Sequence, residues 1–536
     1  MAVVNSADRR LPVCGHKKGG YKKMKILGLN LALLVVVFCF ATACQANKGS
    51  NFDVREPAVA GKCYPESAAK LKLAIEKFLQ DAVPVQVQKP IAIIVPHAGY
   101  IYSGQICADG FKQVANQKYD VVVILGTKHT NSDLQKISLY PGDGFRTPLG
   151  TAPVEKNIIS LLKKADPADC TLDKSLHESE HSVEVMVPFI QVVFPKAKIV
   201  PIVVGSQDME TCIRFGQALA RVLKNKKALI VASSDLSHYP SAQDANIVDR
   251  ETLEAIAGLD PAAFRKTVQA HADKHIPNLV TSACGEAPIM TAMAAAKSLG
   301  ATSGVVVSYA NSGDSSVGER SRVVGYGAVV LTAEGGGKNS GISAQPVTAA
   351  VSSAALTSAD KKTLLAFARE TLSRFFLTNT LPLARSFNST LQQPRGAFVT
   401  LKKKGELRGC IGRMIGDEPL GKIVGVMAMQ AAFNDRRFNQ LTADELNDIE
   451  IEISVLTPMK KVSGAGDIVV GRDGVLLDKD GYHAVFLPQV APEQGWNREE
   501  MLDNLCRKAG LEKGCWKKGA QFSTFQAVVF SESEFK

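Results

Sequence analysis

Residues 53–333 predict an α/β fold with a largely parallel sheet, followed by a second, separately folded unit over 357–536. Three observations predict this. Short β-branched runs alternate with helical stretches in the first region. The segment 334–356, EGGGKNSGISAQPVTAAVSSAAL, is rich in Gly, Ser and Ala without hydrophobic periodicity, which is a linker composition. A chain of 536 residues is also too long for one ordinary core.

The candidate strands of the first unit are IAIIV (91–95), VVVIL (121–125), IVPIVVG (199–205), ALIVAS (228–233), VVVSYA (305–310) and GAVVLT (327–332). Near-continuous apolar runs of this length suit a sheet buried on both faces. TSACGEAPIMTAMAAAKSLG reads as a helix starting near Glu286, with Pro288 in its first turn and Gly300 past its end. Ile106, Cys107 and Phe111 read as the apolar side of another helix. In the second unit, Thr357 and Asp360 can form a capping arrangement ahead of Leu364, Leu365, Ala368, Leu372 and Phe375 at helical spacing. The alternating run Ala397 to Leu401, a Lys/Gly/Glu turn and a second run ending in Arg408-Gly409-Cys410-Ile411-Gly412 predict a hairpin.

The formal charge of +11 is concentrated at one end. Residues 1–43 carry Arg9, Arg10, Lys17, Lys18, Lys22, Lys23 and Lys25 against Asp8 alone, and no basic stripe interleaved with aromatics follows. That distribution excludes a nucleic-acid footprint. From Met24, MKILGLNLALLVVVFCFATACQANKGSN has a basic start, an apolar run from Ile26 to Ala43 and small residues before Cys44. This is the layout of a secretory signal, with a start at Met24 and a tether over 44–52. ATAC resembles a bacterial lipoprotein box, so the expectation is an exported protein anchored through lipid at Cys44; an N-terminal transmembrane anchor is the alternative. The eight cysteines beyond the leader are scattered, with no CxxC pair, so no disulfide scaffold is expected.

Several strand ends carry polar residues of one character. IAIIV ends at Pro96-His97, VVVIL runs into Gly126-Thr127-Lys128-His129, ALIVA into Ser233-Ser234-Asp235 with His238 beyond, and VVVSYA into Asn311 and Asp314. In open α/β sheets the carboxyl ends of the strands face a common crevice, where ligands bind. Cys284 precedes a helix N-terminus, where the dipole favours a thiolate; the other reading is a buried small hydrophobe. In LHESEHSVEVMVPF, His177 and His181 are i, i+4, as are Glu180 and Glu184, and either pair could share a helix face. His271 and His275 have the same spacing among charges and read as surface. No Walker loop, dinucleotide fingerprint or iron–sulfur cysteine cluster appears.

REPAVAGKCYP, PHAGYIYSG, ILGTKHT, ESEHSVE, SSDLSHY, ACGEAPI and GYGAVVL, in that order over about 53–333, resemble the Memo family, also called AmmeMemoRadiSam system protein B. The resemblance implies an α/β sandwich related to class III extradiol dioxygenases, with a metal, iron or copper, on the residues matching His97, His129 and Cys284. It implies that Asp235 and His238 line the same pocket. His181 is expected as a pocket or supporting group. A His₂Cys set is softer than two histidines and a carboxylate, and suits copper or zinc as well as iron. RGAFVTLKKKGELRGCIGRM, AAFNDRRFNQLTADELNDIEIEISVLTP and GWNREEMLDNLCRKAG resemble the AMMECR-type domain, AmmeMemoRadiSam system protein A, over nearly all of 358–536. That resemblance implies an α+β fold in two subdomains. Cys410 with Arg408 is a candidate site there, and Asp435, Arg436 and Arg437 a polar edge; Cys410 between glycines could equally mark a close backbone approach.

The leading expectation is a metal-dependent, dioxygenase-like oxidoreductase acting on a small substrate, fused to a domain that binds or modifies that substrate. The alternatives are a zinc-type hydrolase on the same ligands and a lipid-anchored, non-enzymatic binding or scaffold protein. The shared system name implies a radical-SAM protein as partner.

Overall fold

The computed structural model describes residues 2–3, 52–131, 133–334, 355–384 and 387–535. The leader with Met24 and Cys44, and most of the linker, lie outside these residues. Among the described residues no helix is long and apolar enough to cross a membrane.

The first domain is built on an eight-stranded sheet. Its order is Ser303–Asn311, Gly325–Thr332, Pro90–Val95, Ala228–Ser233, Val121–Thr127, Lys198–Val204, Ile137–Leu139 and Cys170–Thr171. The four strands from Pro90–Val95 to Lys198–Val204 are parallel. All six expected strands are present, but the sheet is mixed where a largely parallel one was expected. Gly325–Thr332 runs antiparallel to both Pro90–Val95 and Ser303–Asn311, and Ile137–Leu139 runs antiparallel to Lys198–Val204. The reason lies in connection length. Residues 312–324 joining the last two strands hold only one short 3-10 turn, too little for a parallel crossover helix. Two reversals restore direction, so Ser303–Asn311 runs with Pro90–Val95 and their carboxyl ends share one edge.

Helix Tyr100–Val114 and helix Glu286–Ser298 pack against the sheet, and the core between them is continuous. Pro288 sits in the first turn of the latter helix, as its sequence predicts. The N-terminal segment is locked onto this body by Arg55 and Glu184, a fully buried ion pair at 2.6 Å. The same carboxylate accepts from the backbone N–H groups of Ala58 and Val59 and from the Tyr64 hydroxyl, so none of its lone pairs is left unsatisfied by burial.

The second domain is α+β in two parts. Ala397–Lys403 and Glu406–Arg413 form the expected hairpin, extended by Ile449–Leu456 and Ala527–Ser531 and by a short parallel pairing with Ala2–Val3. Helices Ser358–Thr378 and Leu420–Phe433 pack together over this sheet's core. Thr357 and Asp360 make a reciprocal capping box at the first helix. A smaller four-stranded sheet carries helix Arg498–Lys508 on a core of its own.

Three expectations need correction. Cys506 and Cys515 form a disulfide, tying helix Arg498–Lys508 to the turn after it. A nine-residue separation outside any CxxC pattern gave no signal, and this small core is the kind that a crosslink helps. His271 is buried, not surface: its ring bonds Ser282 Oγ at 3.0 Å and Glu251 at 2.8 Å. His177 and His181 do not share a helix face, because the segment breaks into Ser175–Glu178 and His181–Glu184. His177 turns inward to Ser138 Oγ, and burial beside Arg55 lowers it to about 3.

Candidate metal centre

The carboxyl ends of the parallel strands deliver His97, His129 and Asp235 to one place, and helix His181–Glu184 adds His181 from above. Gly126 permits that approach: a Cβ there would lie 2.5 Å from Ser182 Oγ and 2.6 Å from Val183 Cγ2. The three imidazoles lie within 4.5 to 5.5 Å of one another, ring centre to ring centre. Two overlapping groups could each hold a metal ion: His97, His129 and His181, and His97, Asp235 and Cys284. In each, the donor atoms all lie within 4.8 Å of one another, and His97 belongs to both.

The hydrogen-bond network fixes the tautomers. Ser233 Oγ donates its single proton to the Ser182 carbonyl at 2.6 Å, so it accepts from His97 Nδ1 at 2.8 Å. Glu180 accepts from His129 Nδ1 at 3.0 Å and from the His129 backbone N–H at 2.6 Å. Both rings therefore keep their protons at Nδ1 and present the Nε2 lone pair, the arrangement that a metal-ligating histidine requires. His97 Nε2 lies 3.3 Å from Cys284 Sγ. The sequence named Glu180 and Ser233 only as members of a polar cluster and a strand end, and nothing in it pointed to their role as partners of the histidine rings.

Electrostatics follow from burial. Desolvation, with His129 and His181 nearby, holds His97 well below the usual histidine range. His181 is lowered for the same reasons. Burial also opposes charge on His129, but the hydrogen bond and charge of Glu180 overcome it and raise His129. Glu180 stays ionised below the usual carboxylate range: burial acts against it, and His129 prevails. Asp235 is raised by burial while Oδ1 accepts from the backbone N–H groups of His97 and Ala98 at 2.8 and 3.1 Å. Burial and the Asp235 carboxylate push the Cys284 thiol up, opposite to the direction expected from a helix N-terminus alone. His238 is lowered by burial; its Nε2 is buried without a hydrogen-bond partner, and its charge bears on Asp235 and His97.

Asn311 and Asp314 reach the same edge but are committed to a capping box over Ser312–Asp314, not to the cluster. In the second domain, Cys410 is buried, accepts from Thr400 Oγ1 at 3.1 Å and is raised by burial. Its backbone N–H donates to Asp435, which also pairs with Arg437. Arg408 instead forks onto Glu445. Arg436 has no role in this group of contacts.

Fold and cluster together define a mixed α/β protein with a metal-capable cluster of side chains at the carboxyl edge of its sheet. Residues 55–330 match the family model described as Memo-like protein, and residues 365–530 the one described as AMMECR1. The chain belongs to the Memo family, with an AMMECR1 domain following the Memo domain. It is 39% identical over 275 residues to a MEMO1 family protein of Aquifex aeolicus, covering 51% of this chain and 97% of that protein. A MEMO1 family protein of Methanococcoides burtonii is 36% identical over 282 residues, covering 52% of this chain and all of that one. A solved structure of an uncharacterized Pyrococcus horikoshii protein is 33% identical, with a TM-score of 0.30, covering 32% of this chain and 90% of that one.

Proposed function

We propose that the first domain is a metal-dependent, dioxygenase-like oxidoreductase acting on a small substrate, with iron or copper as its metal. The observation that carries this reading is the pair of fixed tautomers: buried His97 and solvent-accessible His129, with Nδ1 protons engaged by Ser233 and Glu180 and Nε2 left without a proton. The donor set fits such a metal. His97, His129 and His181 would hold it as one donor set; Cys284, the third ligand that the resemblance implies, groups instead with His97 and Asp235. When bound, the metal supplies redox chemistry and Lewis acidity. The chain's own residues do the rest. Glu180 and Ser233 orient the rings, the Asp235 carboxylate is held by two backbone N–H groups, and His238 is the group free to hold or move a proton at Nε2. The second domain binds or modifies the same small molecule on this reading.

Three histidines are also a zinc set that leaves a fourth position open, which supports hydrolysis as the second reading. Export through the leader and lipid anchoring at Cys44 belong to the same proposal. The Cys506–Cys515 disulfide supports them, because disulfides persist in oxidising compartments.

Elemental analysis of the chain purified without oxygen, beside His97→Ala and Cys284→Ala, tests the proposal. Near-stoichiometric iron or copper that falls away in the variants is the expected result. Zinc would transfer the reading to hydrolysis. Absence of metal from all three would leave a binding pocket and favour a scaffold.

A further inference from the structure

Among the described residues the second domain meets the first along helix Ala68–Gln80, at Ile101 and Leu383, and at the loop joining the last two strands. Along one side, Lys70 Nζ donates to the Phe376 carbonyl at 3.2 Å, and buried Arg374 pairs with Asp81 across the boundary and with Glu370 on its own helix. The loop contact is with residues 312–324, which join the last two strands of the first domain. Ser316, itself buried, sits directly on Gly425 of helix Leu420–Phe433: a Cβ at Gly425 would lie 2.5 Å from Ser316 Oγ. Val317 packs against the second domain's core. Asp314 and Arg320, paired at 3.6 Å, lie close enough to act on the buried Lys422 ammonium, which is itself paired with Glu418.

The far end of the same loop in sequence, residues 320–324, meets the His238 turn. Tyr239 N–H donates to the Val323 carbonyl at 2.6 Å and Val323 N–H to the Pro240 carbonyl at 2.9 Å. Ala242 N–H donates to the Arg320 carbonyl at 2.8 Å. His238 bridges Val324, and the Arg322 guanidinium lies 4.0 Å over the Tyr239 ring. Loop 312–324 thus contacts two bodies, the His238 turn through residues 320–324 and Gly425 through Ser316.

We infer that the second domain is a positioning element for the metal pocket: by gripping loop 312–324 it holds the His238 turn in place. The grip acts through packing and backbone hydrogen bonds, so it operates with or without a bound metal. Interfaces between domains of one chain resemble transient ones, and motion across them is the default unless packing prevents it. Here the absence of a side chain at Gly425 is what lets the loop seat.

Hydrogen–deuterium exchange on the full, metal-free chain tests this, comparing wild type with Gly425→Leu and Arg374→Glu. Both substitutions lie in the second domain, so an effect on residues 236–240 must cross the interface. The expected result is exchange faster by about tenfold or more at 236–240 and 312–324, with strand Pro90–Val95 as protected as in wild type. If Gly425→Leu unfolds the second domain, the grip is lost and the same local change is expected; Arg374→Glu tests it at a distance from the loop. Unchanged exchange at 236–240 in both variants would overturn the inference. So would a rise that includes Pro90–Val95, which would mark general loosening. Neither outcome depends on whether a metal binds.

Discussion

The Glu180 carboxylate accepts two hydrogen bonds from His129, one from ring Nδ1 at 3.0 Å and one from the backbone N–H at 2.6 Å. One buried acid therefore sets the position, tautomer and basicity of a candidate metal ligand 51 residues away in the chain. Glu180→Gln keeps the shape but removes the charge. Metal affinity measured by chelator competition should fall roughly 10- to 100-fold. An unchanged affinity would remove His129 from the ligand set.

Protons and metal compete for His129 Nε2. Because Glu180 raises His129 above the ordinary histidine value, the ring takes up its second proton at higher pH than an ordinary histidine does. Cobalt(II) titrations should show affinity declining as pH is lowered from about 8 to 6, with the decline moved to lower pH in Glu180→Gln. A wild-type decline confined to pH 5 and below would contradict the assignment.

Asp249 offers a second pH test, away from the cluster. It is fully buried, accepts from Ser237 N–H at 2.8 Å and meets the Tyr309 hydroxyl at 2.8 Å, and burial lifts it to about 7. In an unfolded chain an aspartate titrates near about 3.9. Between those values the folded chain holds the extra proton, so this group's contribution to stability declines as pH rises from about 4 to 7. Denaturant midpoints of wild type and Asp249→Asn should diverge over that span, the variant gaining relative stability on the order of 4 kcal/mol by pH 8. Parallel pH profiles would show that Asp249 is ionised in the fold.

The disulfide between Cys506 and Cys515 closes a short loop. Reducing it, or Cys506→Ser, should lower the stability of the C-terminal subdomain by about 2 to 3 kcal/mol, seen as an earlier thermal transition. Metal content of the first domain should not change. Identical melting with and without reductant would mean that the crosslink does not contribute.

Much of the fold was legible because it is local. Six apolar runs became six strands, Pro288 opened its helix, and Thr357 with Asp360 capped theirs. The site was legible in part: strand ends named His97, His129 and Asp235, since strand direction alone sends them to one edge. The antiparallel return of Gly325–Thr332 was not, because periodicity carries no strand direction.

By itself, then, the sequence determined the elements, their ends and the residues that a shared edge would gather, all set by chemistry within a few positions. Tertiary structure alone decided which of them meet. It sent His181 to the cluster and His177 into the core by breaking the helix between them. It chose Glu180 and Ser233 as orienting partners, the latter 136 residues from His97. It pressed Ser316 onto Gly425, and it paired Cys506 with Cys515. The physical reason is that burial and hydrogen bonding are satisfied by whatever lies near in space, and nearness in space is a property of the packed chain.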